Sequence, residues 1–337
     1  QAPSDYPEFA KFLVEQGISP STAIEFAEGL PLYWGQQPIV AGPAYLGAIV
    51  LFFFVLGLFL VKGKKKWWLL GGFLVSLLLS WGKNFGALTN LMIDYFPLYD
   101  KFRAVSSIQV IIELCAPIMA ILALKAFVSS KVDKKEKLSA LKKSAIIMIG
   151  LGMAIFLLKG FFSFEGPNDA RFVQAYGEQI MAMIERDRVD VYVSDTIRSL
   201  IFVALAALLL LLYANKKLRK NVLVVLIGVI LLIDLVGVAK RYVNESDFVR
   251  QREVRQPYQM TAVDKEILED TDVFRVFDPQ EGLNGARNSY FHKSLGGYHA
   301  AKPRKMQDLV EFHLYQNNLE VLNMLNVKYI VQQDDEG

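Results

Sequence analysis

Cysteine occurs once in 337 residues, as Cys115 inside an apolar run, so no intrachain disulfide reports a compartment. Histidine is nearly as scarce. His292, His299 and His313 have no acid or thiol at the spacing a zinc or iron site needs. The chain carries no G-x-x-x-x-G-K-[ST] loop, which excludes an ATPase of that type, and no G-x-S-x-G elbow. A basic surface interleaved with aromatics is also absent, which argues against nucleic acid as a partner. Charge is low at 21%, against 53% hydrophobic residues and a mean hydropathy of +0.30. Apolar runs alternate with lysine clusters, the composition of a polytopic membrane protein that carries water-exposed parts. The net charge of +3 matters less than where the lysines sit.

Six apolar runs read as spans: 44–61, 67–81, 108–127, 144–158, 200–213 and 222–239. Lys62, Lys64, Lys65 and Lys66 separate the first two, SSKVDKKEKLSALKK separates the third and fourth, and NKKLRKN separates the last two. The opposite loops, 1–42, 82–107 and 159–199, are longer and mixed in charge. The positive-inside rule therefore places all three lysine hairpins in the cytoplasm and both ends of the chain outside. Pro117 predicts a kink in the third span. The expected fold is mainly α, a six-span helical bundle with the start of an external α/β domain at its C-terminus.

Residues 1–42 form an external segment with two short helices, one on the apolar spacing of Phe9, Phe12 and Leu13, the other capped by Ser19 with Pro20 first in the helix. The proline- and glycine-bearing stretch 29–47 reads as irregular chain at the interface, with Tyr33 and Trp34 at headgroup depth. In 163–199, Phe172, Val173, Tyr176, Ile180, Met183 and Ile184 predict one amphipathic helix lying on the outer leaflet or capping the bundle. Asp187, Arg188, Asp190, Ser194, Asp195 and Arg198 follow at three- and four-residue steps, either a solvated ionic face or a second polar cluster. Beyond residue 240, alternation in Val273–Asp278 and Val327–Gln332 predicts two strands, with helices over about 303–315 and 319–326 between them. The chain opens on Gln1 without a signal-like region, and two strands make a marginal sheet, so a fragment of a longer protein is expected.

The polar constellation of most interest lies at the start of the third span, in FPLYDKFRAVSSIQVIIELCAP (96–117). Asp100, Lys101 and Arg103 stand at the membrane lip. If Ser106 is already helical, Ser106, Gln109 and Glu113 share one face below them. A basic pair above a polar stripe can hold an anionic lipid headgroup, and can equally anchor and pack a helix. Glu113 and Asp234 are acids inside expected spans, each about 8 Å from the outer end, where a carboxylate needs a partner or water. Hydroxyls, or Arg103 and Arg241, would satisfy them. The loop Ser294–Lys302 offers Tyr298, His299 and Lys302 as lid or acceptor contacts, or as a simple turn before a helix.

Several segments together resemble the YfhO family of bacterial membrane proteins: FPLYDKFRAVSS, YWGQQPIVAGPAYLG, SDTIRSLIFVALAA, and the C-terminal SLGGYHAAKPRKMQDLVEFHL with LNMLNVKYIV. The resemblance implies a GT-C-like glycosyltransferase of the bacterial cytoplasmic membrane. Such an enzyme moves a sugar from a polyprenyl-phosphate donor to a cell-envelope glycopolymer on the extracytoplasmic face. Where the family motif often reads F-R-x-P-S, this chain has Phe102-Arg103-Ala104-Val105-Ser106, which keeps the arginine and serine and loses the proline turn. Arg103 and Lys101 would meet the lipid phosphate, Asp100 and Glu113 would orient it, and Arg198 would be a second contact. The essential acid of GT-C enzymes, in a first external loop, has no counterpart here, so the catalytic base is expected outside this chain. No cofactor is indicated; the chemistry leaves room for a divalent cation that no residue cluster announces. Two other classes fit a polytopic chain: a transporter or flippase subunit, and a non-catalytic envelope scaffold.

Overall fold

The computed structural model describes residues 8–28, 30, 32–35, 44–101, 104–299, 302–316 and 318–332. Much of the 29–47 stretch, and both Phe102 and Arg103, therefore lie outside the described residues. The chain divides after Asn244 into two compact units, Gln1–Asn244 and Glu245–Gly337.

The first unit is helical. Two short helices, α1 (Glu8–Glu15) and α2 (Pro20–Glu28), pack through Phe9, Ala10, Ala23 and Ala27. Ser19 Oγ accepts from the Thr22 N–H at 3.3 Å, the cap that the Ser-Pro pair predicts. Then come α3 (Ala48–Leu60), α4 (Lys64–Ser80), α5 (Gly86–Tyr95), α6 (Gln109–Val128) and α7 (Lys134–Leu157), followed by α8 (Asp169–Tyr176), α9 (Glu178–Ala214) and α10 (Lys220–Ala239). The core gathers Ile49, Phe52 and Leu56 of α3 with Phe127 of α6, Leu141 of α7, Leu210 of α9 and Leu223 of α10. Gly57 lets α3 approach α6 closely, since a Cβ there would stand 2.7 Å from Met119 Cγ.

Among the described residues, four helical stretches are long and apolar enough to cross a membrane: Val105–Val128, Lys134–Phe161, Glu178–Ala214 and Lys220–Ala239. They suggest a membrane protein. The two earlier expected spans are less complete. Residues 44–47 are not helical, which leaves α3 with 13 residues, about 20 Å of helix against a hydrocarbon core of about 30 Å. The second becomes α4, of 17 residues, opened by three lysines and diluted by Gly71, Gly72, Ser76 and Ser80.

Two expectations for 159–199 are corrected. The single amphipathic helix is broken at Gly177, whose φ of 88° is a left-handed conformation that side chains resist, so α8 ends there and α9 begins. From Glu178, α9 then runs 37 residues without interruption. The ionic stretch 187–198 is thus the lower part of the same rod as the apolar run 200–213, and not a loop before it. Three contacts draw the lysine hairpins to one end of this unit. Lys62 pairs with Glu136 at 3.1 Å, Tyr213 Oη donates to the Val128 carbonyl at 3.1 Å, and Lys137 lies 6.0 Å over the Tyr213 ring.

The second unit holds α11 (Gln251–Arg255), α12 (Ala262–Glu269), α13 (Arg287–Phe291), α14 (Arg304–Phe312) and α15 (Leu319–Met324). Two short strands, β1 (Arg275–Phe277) and β2 (Val327–Ile330), pair in parallel with a register shift between Arg275 and Val276. Phe277, Leu283, Leu295, Val310, Leu314 and Leu322 form the core beneath them. Asp264 organises the entry to this unit. It closes a capping box with Thr261, accepts from Arg287 Nη2, and lies 2.9 Å from His292 Nε2. Burial alone would raise its pKa. The Thr261 backbone, His292, the Thr261 hydroxyl and Arg287 together hold it well below the ordinary carboxylate range instead.

Candidate functional site

The end of the helical unit away from the lysine hairpins carries a network of charges. Asp234 on α10 is fully buried. It accepts three hydrogen bonds: Tyr45 Oη to Oδ1 at 2.6 Å, Arg198 Nη1 to Oδ1 at 3.1 Å, and the Ala48 N–H to Oδ2 at 2.9 Å. The last explains how α3 starts. Its first N–H groups have no partner within the helix and Gly47 has no side chain to offer, so a carboxylate from another helix serves as the cap. Gly47 has φ 91°, and a Cβ there would meet Asp234 Oδ2 at 3.3 Å and Leu235 Cδ2 at 3.0 Å. Only glycine suits that position without strain.

Arg198 on α9 joins this carboxylate to a second. Its Nη2 donates to Tyr45 Oη at 3.1 Å, and its guanidinium stacks over Tyr45 and Phe202 at 5.4 and 5.7 Å. Nε lies 3.3 Å from Asp195 Oδ1, an ion contact without hydrogen-bond alignment, and is otherwise without a partner. Arg241, two residues beyond α10, grips both Asp195 oxygens at 2.7 Å. Two carboxylates and two guanidiniums balance. Neither acid is free to act as a base, and neither arginine is an empty phosphate clamp.

Beside the network lies a cavity of about 470 Å³, between the start of α3, α7 and α9. Tyr45, Tyr192, Asp195, Thr196 and Ser199 give it polar groups, while Leu51, Met148, Leu151, Ile155, Leu200 and Val203 make the rest apolar. Trp34 and Tyr192 belong to an aromatic cluster with Phe162 and Phe164, with neighbouring rings 4.7 to 6.2 Å apart. That cluster is anchored by Arg188, 1% exposed, which donates to both Asp169 oxygens at 2.7 and 2.8 Å and to the Phe164 carbonyl at 2.8 Å. Hydrogen bonding from Arg188 holds the Asp169 carboxyl below the usual range. Immediately before Arg188, Asp187 accepts from the Glu8 and Phe9 N–H groups at 2.7 and 3.3 Å and caps α1. The stretch 187–198 divides between its two readings: Asp187, Arg188, Asp195 and Arg198 meet partners from other segments, while Asp190 and Ser194 stay on the exposed face.

The lip residues are arranged differently from expectation. Asp100 and Lys101 pair with each other, both largely exposed. Arg103 lies outside the described residues. Val105–Ile108 is a 3₁₀ turn and α6 begins only at Gln109, so Ser106 does not continue the stripe of Gln109 and Glu113. Glu113 is exposed on α6 and makes no hydrogen bond or ion pair among the described residues. Arg198 is in a cluster of its own with Tyr45, Asp195, Asp234 and Arg241. Of the expected partners of Asp234, a hydroxyl does serve, that of Tyr45, while the arginine is corrected: Arg198 holds Asp234, and Arg241 holds Asp195.

In the second unit Tyr298 is exposed. His299 and Lys302 line a hollow of about 350 Å³ with Leu283, Leu295 and Met306, and Lys302 reaches Asn284 Oδ1 at 3.5 Å. Among the described residues no three His, Cys, Asp or Glu side chains converge to hold a metal ion. Tyr45 is the residue sequence reasoning missed. Its signal was an aromatic hydroxyl three residues ahead of an apolar helix with no cap of its own. Comparison with protein families, with curated proteins and with solved structures finds no match to this chain.

Proposed function

We propose that this is a membrane protein acting on a lipid-linked substrate, and that the cavity beside Tyr45 and Asp195 receives part of that substrate. The observation that carries the reading is the pairing of an apolar chamber, within helices long enough to span, with polar groups supplied by a rigid, charge-balanced network. An amphiphile fits such a site: its chain lies along Leu151, Leu200 and Val203, and its polar end meets Tyr45, Thr196 and Ser199. The fuller form of the proposal is transfer of a sugar from a polyprenyl-phosphate donor to an envelope acceptor on the extracytoplasmic face of the bacterial cytoplasmic membrane, and it rests on the resemblance to the YfhO family. In that form Arg103 and Lys101 meet the donor phosphate, while the Arg198 network shapes the chamber and leaves proton abstraction to a group elsewhere. Asp234 stands five residues from the end of α10 and is tied to Arg198, which speaks against an ion-coupled permease with a free midplane carboxylate.

The test is binding and transfer of a radiolabelled polyprenyl-phosphate sugar by the protein in proteoliposomes. Ser199→Trp, which fills the chamber, is expected to cut donor binding at least tenfold while the protein still inserts. Arg103→Ala is expected to abolish transfer. Unchanged donor binding in Ser199→Trp would overturn the chamber as the substrate site.

A further inference from the structure

The C-terminal unit begins with a surface that the proposed reaction does not use. Phe248 follows the last residue of α10 by nine residues, at most about 30 Å of extended chain. From there the sequence runs FVRQREVRQPY, and every residue from Arg250 to Gln256 is exposed. Phe248 is 75% exposed, and Val249 and Val254 are also open. Arg250, Arg252 and Arg255 make no side-chain hydrogen bond or ion pair among the described residues, unlike Arg198, Arg241 and Arg287. Arg250 and Arg252 line a hollow of about 670 Å³ together with Glu253, Tyr258, Tyr290 and Phe291. Tyr258 and Tyr290 meet edge to face at 5.6 Å, and Tyr290, 48% exposed, meets Phe291 at 4.9 Å, so the rings pack on one another and stay open to the outside. The charge is local: from residue 257 onward acidic residues outnumber basic ones.

We propose that Phe248–Tyr258 is a membrane-docking surface that binds anionic phospholipid headgroups. Unpaired guanidiniums take headgroup phosphates, through donors in the fork geometry that phosphate accepts. Phe248, Val249 and Val254 enter the interfacial layer, and Tyr258 and Tyr290 supply rings with polar ends of the kind that settle at headgroup depth. A short leash to a helix able to span a membrane keeps the segment at high local concentration over lipid, so modest affinity suffices. A soluble anionic glycopolymer would satisfy the arginines but would leave the three apolar side chains in water. The lipid surface satisfies both.

The experiment is hydrogen exchange of the full chain in nanodiscs, read over amides 248–256. Discs of phosphatidylcholine alone are compared with discs holding about one third phosphatidylglycerol. Each arginine near an anionic surface strengthens partitioning about fivefold. At least threefold slower exchange is therefore expected in the anionic discs, reversed by 1 M salt, where screening falls to about 3 Å. The triple variant R250Q/R252Q/R255Q is expected to lose the difference, with exchange in the Asp264–His292 region unchanged to show that the unit stays folded. Equal exchange in the two kinds of disc would overturn the proposal. So would slowing by inorganic polyphosphate added to phosphatidylcholine discs that equals the effect of the anionic lipid, since that marks a polyanion site and not a membrane surface.

Discussion

Asp234→Asn tests the idea that one carboxylate organises the end of the helical bundle. The substitution keeps shape and volume, and removes one charge and one acceptor. In the parent, Oδ1 accepts from Tyr45 and Arg198 while Oδ2 accepts from the Ala48 N–H. An asparagine can place its oxygen on only one of these sides. Turned toward Tyr45 and Arg198, its amide faces the Ala48 N–H, donor against donor, and α3 loses its cap. Turned toward Ala48, it faces the Arg198 guanidinium. Either way a buried donor goes unsatisfied at a cost of about 1–3 kcal/mol, and Arg198, with a side chain 24% exposed, loses its buried counter-charge and keeps the Tyr45 hydroxyl and the misaligned Asp195 contact. Breaking a buried pair from one side costs about 3–5 kcal/mol, and partial exposure of Arg198 places the expectation at the lower end, about 3 kcal/mol. The assay is reversible unfolding in mixed micelles, with Arg198→Met and the double variant completing a cycle. The double variant is expected to be more stable than the sum of the single losses by about 1–3 kcal/mol, because it leaves no orphaned charge. A loss below 0.5 kcal/mol in Asp234→Asn, or strict additivity in the cycle, would refute the reasoning.

Gly57→Ala places a methyl 2.7 Å from Met119 Cγ and 3.2 Å from the Met119 carbonyl oxygen, so α3 and α6 must separate. A loss of about 1–3 kcal/mol is expected in the same unfolding assay, with Gly71→Ala, whose Cβ meets nothing, close to neutral. In the second unit, Asp264 and Asp270 have pKa values below their unfolded values, Asp270 at about 2 through Lys328, the Asp272 backbone and Tyr329. A depressed carboxylate contributes stability above its unfolded pKa, near 4, and loses it as pH falls through the folded value. The C-terminal unit should therefore hold its exchange protection at pH 5 and lose it progressively below pH 4. In Asp264→Asn that acid-sensitive part should shrink, and a profile identical to the parent's would count against the network. Leu151→Trp, at another wall of the chamber, should weaken donor binding as Ser199→Trp does, measured by the same proteoliposome titration.

Much of the helical architecture is legible in composition and period, and its shortfalls have physical causes. The expected spans 108–127 and 222–239 return almost whole as α6 and α10, because Glu113, Pro117 and Asp234 are too few to break their apolar runs. Window hydropathy cannot see where α3 starts, because Ala44, Tyr45 and Leu46 are apolar enough to belong to a span. The start is set by Gly47, by its left-handed φ, and by Asp234, 186 residues away along the chain. The continuity of α9 was hidden for the opposite reason. Its ionic stretch looks like a loop to a hydropathy scan, yet Asp187, Arg188 and Asp195 point to partners in α1, the 164–169 segment and Arg241, so the charges stabilise a helix they would otherwise weaken.

The same long-range dependence governs the site. Local spacing drew attention to Asp100, Lys101, Ser106 and Glu113, which stand close together along the chain. The structure pairs Asp100 with Lys101, turns Ser106 off the helix, and leaves Glu113 exposed. The residues that do converge come from three distant stretches, at 45–48, 195–198 and 234–241, and each looks ordinary in its own surroundings. What distinguished them in the sequence was cost. Asp234 is an acid in an 18-residue apolar run, and such a charge persists only where a partner offsets its desolvation. Asking which cations stand at the same depth as Asp234 leads to Arg198, just before the apolar part of α9, and to Arg241, just after α10. Tyr45 follows from the orphan N–H groups of α3. The energetic question identifies the cluster where the pattern of spacing does not, because a buried charge constrains the whole fold and a run of neighbours constrains only itself.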